Sequence, residues 1–212
     1  MSVYRTMILL LVLTFSFIAS PAMAGSNESQ DFDARGVVVD VPTFFAAAEG
    51  VVADTASPAN LALVTEEGVF AFLETPENAE HLRKTESGSV VRVRGKLLER
   101  GALLHVDQLD LLTTVPLIDF AKYRTDPGRQ VQLAGVNKCQ CGLAVADLPH
   151  SCTLGHLHHL EAEDGKIYHY LQTEPGRQAF LGRGSHFQPV AVTALLLPGQ
   201  FLMVQQVDVK TQ

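Results

Sequence analysis

The chain has 212 residues, 47% of them hydrophobic and 18% charged, which is enough for one or two domains with real cores. Its 16 basic and 23 acidic residues give a formal charge of -7. With that balance and no local basic stripe, nucleic acid is excluded as an expected partner.

Residues 1–24 read as a secretory signal. Arg5 supplies the positive start, and residues 7–19 form an apolar core too short to span a bilayer comfortably. Ala22, Met23 and Ala24 make a small-x-small cleavage site, so the mature chain is expected to begin at Gly25. No later apolar run approaches the length of a spanning helix. The expectation is a soluble protein without a membrane span after cleavage, periplasmic or secreted. Residues 25–35 (GSNESQDFDAR) are polar and aperiodic and are expected to form a disordered leader.

The first domain is expected over 36–114. It opens with a short β-branched strand at 36–41, stopped by Pro42, and a turn or two of helix at 43–49 with Thr43 as a cap. Two strands follow at 61–65 and 69–74, joined by a turn at Glu67-Gly68. Pro76 starts a short helix that Thr75 can cap. The alternation VVRVRGKLL at 90–98 predicts a half-buried strand, and a turn at Arg100-Gly101 leads to another at 103–111. The second domain is expected over 115–212. A strand at 130–136 continues towards Cys141, and a longer connection follows. Asp164-Gly165 then predicts a two-residue hairpin turn between runs at 155–163 and 166–173. A short helix at 175–181 and strands at 189–197 and 201–209 complete the chain.

The two halves share one plan at an offset of about 97 to 99 residues: Gly68 with Gly165, Gly101 with Gly199, Val106 with Val204. This periodicity predicts an internal duplication. Five strands with one helix between the third and fourth resemble the OB-fold, and VRVRGKLL followed by LLHVDQLDLL resembles the last two strands of small exported bacterial OB-fold domains. The resemblance covers roughly residues 50–112 and 130–209, with Ala194 where the first half has Gly95. It implies an all-β protein with short helices, built as two tandem OB-like five-stranded barrels. It also implies ligand binding on the face of the second and third strands.

The three cysteines and five of the eight histidines fall within residues 139–171, about a sixth of the chain. The loop between the first two strands is short in the first half and carries Cys139, Cys141, His150 and Cys152 at or near its edges in the second. Thiolates and imidazoles suit copper and zinc, so Cys139, Cys141, Cys152, His156, His158 and His169 are the candidate ligands. Strand alternation puts Cys139 with Cys141, and His156 with His158, on shared faces. A two-residue turn sets His158 and His169 diagonally on one face, with His159 on the other side beside Tyr168 and Tyr170 and exposed at the surface. The competing account is a disulfide, Cys139–Cys152 or Cys141–Cys152, worth roughly 3 kcal/mol.

His81, His105 and His186 receive no role, and the lone loop residue His150 reads as solvated. Nucleophile-elbow, two-cysteine redox, haem-attachment and helical zinc-protease patterns are absent from the sequence. The expectation is an exported, non-catalytic copper- or zinc-binding protein for metal handling or sensing, with the metal ion and another exported protein as partners. The alternatives are a structural or adaptor protein with a loop disulfide, or a metal-dependent enzyme. Glu161, the convenient carboxylate for an enzyme, falls on the wrong face.

Overall fold

The computed structural model describes residues 29–45, 58–75, 78–124, 128–139, 158–171 and 187–210. The expected signal and the helix at 175–181 lie outside them, as do His150, His156, Cys141, Cys152 and His186.

The first barrel contains β1 (Ser29–Asp40), β2 (Leu61–Val64), β3 (Val69–Leu73), β4 (Val90–Leu98) and β5 (Leu103–Leu111). It closes in the order β1-β2-β3-β5-β4. The second contains β6 (Arg129–Cys139), β7 (His158–Ala162), β8 (Ile167–Tyr170), β9 (Pro189–Leu197) and β10 (Phe201–Val209). It closes in the same order, β6-β7-β8-β10-β9. In each barrel the third and fifth strands pair in parallel and the other neighbours antiparallel. The chain is therefore two tandem OB-like barrels from one duplicated plan.

Irregularities repeat along with the strands. Asp107 bulges from β5 between pairs Arg94–Gln108 and Gly95–Val106, and Gln205 bulges at the equivalent point of β10. Gly36 and Gly135 sit at matching places in β1 and β6. A Cβ on either would come within 2.5 Å of the Val64 carbonyl oxygen or 2.3 Å of that of Glu161, so only glycine fits.

The leader expectation needs correction. Residues 29–35 are the first half of β1, paired with β4 from Ser29–Leu98 onward. Phe32, Ala34 and Gly36 point inward, while Asp31 and Asp33 point outward and bond Lys96 and Arg92. Polar composition concealed a period-two pattern whose outward side is charged. The first helix, α1 (Val41–Phe45), is capped by Asp40 rather than Thr43: the Asp40 carboxylate accepts from the Thr43 amide at 3.0 Å. The second helix, α2 (Ala79–Arg83), drives Leu82 into the base of the first barrel. Asn78 and Thr75 bond each other's amides ahead of it.

Each barrel has its own interior, and a third apolar cluster lies between them. Val39, Ala62, Val64, Val69, Ala71 and Leu73 contribute from the outside of the first barrel. Ile167, Leu171, Leu197, Phe201 and Met203 contribute from the outside of the second. The contact is reciprocal. The 3-10 turn Glu99–Gly101 of the first barrel packs on β8, and the turn Pro198–Gln200 of the second packs on β3. An added Cβ at Gly101 would meet Ile167 Cβ at 3.2 Å, and one at Gly199 would meet Val69 Cγ1 at 2.9 Å. Ile167 and Val69 are equivalent positions, so the junction has an approximate twofold relation. Residues 112–124 cross this region. Their short helix α3 (Ala121–Arg124) places the Tyr123 hydroxyl to donate to the carbonyl oxygens of Thr65 and Glu66, both at 3.0 Å.

Candidate functional site at the mouth of the second barrel

The β7–β8 hairpin decides which side chains meet. The Ala162 amide donates to the Lys166 carbonyl at 2.9 Å, and the Gly165 amide donates back to Ala162 at 3.0 Å, with Gly165 at φ 83°. This is a three-residue loop closed by a left-handed glycine, not the expected two-residue turn. Asp164 reinforces it, accepting from the Lys166 amide at 3.0 Å and from the Tyr168 hydroxyl at 2.8 Å. The register moves by one residue, so His159 faces His169 and Leu160 faces Tyr168. A shift of one exchanges the two faces of one strand relative to the other.

Consequently His158 and His169 lie on opposite sides of their hairpin, and the expected diagonal contact between them does not form. His158 points inward with Leu160, Tyr168 and Tyr170, while His169 points outward with His159, Glu161 and Ile167. His159, expected at the surface, is 1% exposed. Glu161 lies on the His169 side.

On the inner side, Cys139 is the register partner of His158. Cross-strand partners on one face hold their Cβ atoms about 4.5–5.5 Å apart. Both stand where β6 ends and β7 begins, at the rim of the barrel. Tyr170 of β8 and Asn137 of β6 share that inner face, and Cys139, Tyr170 and Asn137 are all buried. Burial pushes the Tyr170 phenol up and keeps it protonated. The first barrel supplies the comparison: matched through the strand registers, its equivalents of Asn137, Cys139, His158 and Tyr170 are Val38, Asp40, Leu61 and Phe72. Three apolar positions and an acid have become an amide, a thiol, an imidazole and a phenol. Sequence reasoning missed Tyr170 because a two-residue turn puts it on the opposite face from His158, and it passed over Asn137, which strand alternation sets on the face of Cys139.

The outer side diverges in the same way. Val39, Ala62, Val64 and Ala71 of the first barrel correspond to Lys138, His159, Glu161 and His169 of the second. His169 Nε2 lies 2.6 Å from the Gly101 carbonyl oxygen across the junction. Burial lowers its pKa to about 4, against the opposing pull of that carbonyl. For His159, burial and then the neighbouring His169 lower the value to about 3, and neither ring nitrogen has a hydrogen-bond partner among the described residues. Glu161 receives Lys138 from its own barrel and Arg100 Nη1 from the other at 2.9 Å. Burial opposes its ionisation, but the bonds from the two cations outweigh it and hold its carboxyl below the usual range.

Among the described residues no three His, Cys, Asp or Glu side chains cluster for a metal ion. Of the six predicted ligands, Cys139 and His158 come together, His169 is directed away, and Cys141, Cys152 and His156 lie outside the described residues. The ligand face expected from OB-fold resemblance, on the second and third strands, is buried in the junction for both barrels. That leaves the rim as the place where polar chemistry opens on a barrel interior.

Fold and site together define a two-barrel OB-like chain with a Cys/His pair at one mouth. No family model, no curated protein and no solved structure matches it.

Proposed function

We propose that this chain is an exported, non-catalytic binding protein for a transition-metal ion, copper or zinc, serving metal handling or sensing. One observation carries the reading: Cys139 and His158 are register partners on the inner rim of the second barrel, where the duplicate has an aspartate and a leucine. A thiolate and an imidazole are a donor pair that both metals accept. The sequence adds Cys141, Cys152 and His156, all of which lie outside the described residues. His169 is omitted, since its ring bonds Gly101 across the junction. Export rests on the secretory signal expected from the sequence of residues 1–24 and is checked by sequencing the N-terminus of secreted protein, with Gly25 expected first.

The test is metal analysis of untagged protein reconstituted anaerobically with zinc(II) or copper(I). About one equivalent is expected, falling sharply in Cys139→Ser and in His158→Ala. Uptake below about a tenth of an equivalent sinks the reading. Thiol counting on metal-free protein separates the disulfide account, which leaves one reactive thiol of three.

A further inference from the structure

The mouth and the barrel junction are the two faces of the same three strands. Cys139, His158 and Tyr170 look inward. Their chain neighbours Lys138, His159 and His169 form a continuous row on the outer side, Lys138 facing His159 and His159 facing His169. That row meets the first barrel through defined contacts. His169 lies against the Gly101 carbonyl, its ring also 5.6 Å from that of Phe201 in its own barrel. Lys138 and Arg100 clamp Glu161 from the two sides of the junction. In the duplicate, the matching outer positions are valines and alanines and the matching inner positions lack the Cys/His pair. Both faces have therefore diverged together, at the same three places in the strands.

We propose that occupancy of the mouth is read out at the junction: an ion held by Cys139 and His158 fixes the ends of β6, β7 and β8, and so tightens the grip of the outer row on Glu99–Gly101. This rests on the metal reading above. The two sites are distinct, and the two states are a closed junction with the Gly101 and Arg100 contacts made and a loosened one with them lost. Linkage makes the effect reciprocal. If the ion favours the closed junction, breaking the junction weakens the ion's binding by the same factor, commonly fivefold to 150-fold.

The experiment follows amide hydrogen exchange at residues 99–103, which contribute nothing to the mouth, in the full chain with and without zinc(II) or copper(I). Metal affinity is measured in parallel for the native chain, Arg100→Met and Arg92→Met. Arg92 of β4 pairs with Asp33 of β1 on the exposed surface of the first barrel, which makes it the control. Expected are exchange slowed at least fivefold by metal and affinity lowered at least fivefold in Arg100→Met, with Arg92→Met unchanged. Stoichiometric uptake with unaltered exchange at 99–103 and equal affinities in all three proteins overturns the coupling and leaves the metal reading standing. Absence of uptake removes both.

Discussion

Replacing His159 by leucine should stabilise the chain, and replacing His169 by leucine should destabilise it, although the two imidazoles face each other on adjacent strands. The rings differ in what they bond. His159 is 1% exposed with neither nitrogen partnered among the described residues, so folding strips water from two polar atoms and returns no bond from them. Leucine is close to histidine in size and removes that penalty, a gain of roughly 1–3 kcal/mol. His169 holds the Gly101 carbonyl at 2.6 Å, and leucine would leave that oxygen without its donor inside the junction, a loss of about 1–3 kcal/mol. Urea unfolding at pH 8 with chelator present keeps both rings neutral and metal out of the comparison. The midpoints should move in opposite directions with the slope unchanged. Midpoints moving together, or a less stable His159→Leu, would refute the reasoning, showing that His159 is satisfied by a group such as an internal water.

Acid should weaken the fold well before the carboxylates titrate. Both histidines titrate near 6.5 when unfolded and at about 3 and about 4 when folded, so the unfolded chain binds more protons below pH 6.5 and stability falls as pH drops. At pH 5 each ring costs about 2 kcal/mol relative to pH 8, and chelated protein carrying both leucine substitutions should lose most of this slope in urea titrations. Gly135→Ala should disrupt β6–β7 pairing, since its Cβ would fall 2.3 Å from the Glu161 carbonyl oxygen; a loss of more than about 2 kcal/mol in thermal or urea unfolding is expected. Ile167→Ala empties the centre of the junction and should cost about 2–4 kcal/mol, without changing far-ultraviolet circular dichroism below the transition.

Much of the architecture is legible in residue patterns. The alternation at 90–98 and the turns at Gly101 and Gly199 identify strands whose ends the structure confirms at β4, β9 and β10. The offset between halves reveals the duplication because turns and bulges are local features. Two things escape. The segment at 29–35 reads as leader because an outward strand face bearing Asp31 and Asp33 looks like a disordered run until Lys96 and Arg92 are known to lie opposite. The hairpin at Asp164-Gly165 admits loops of two or three residues, and that single ambiguity decides whether His169 joins His158 or His159. A position-by-position comparison of the halves exposes Asn137, but placing Tyr170 beside His158 needs that register settled. The junction itself leaves no local signature, since its residues alternate like any half-exposed strand.

The approximate twofold of the junction bears on why the facing pair His159 and His169 is found on one side of it. Were the barrels identical chains meeting about a true axis, a histidine at the Ala62 position would arrive twice, doubling the desolvation and crowding like charges on acidification. Covalent fusion lifts that constraint: one copy can stay greasy and supply the binding energy, while the other experiments with chemistry at half the cost.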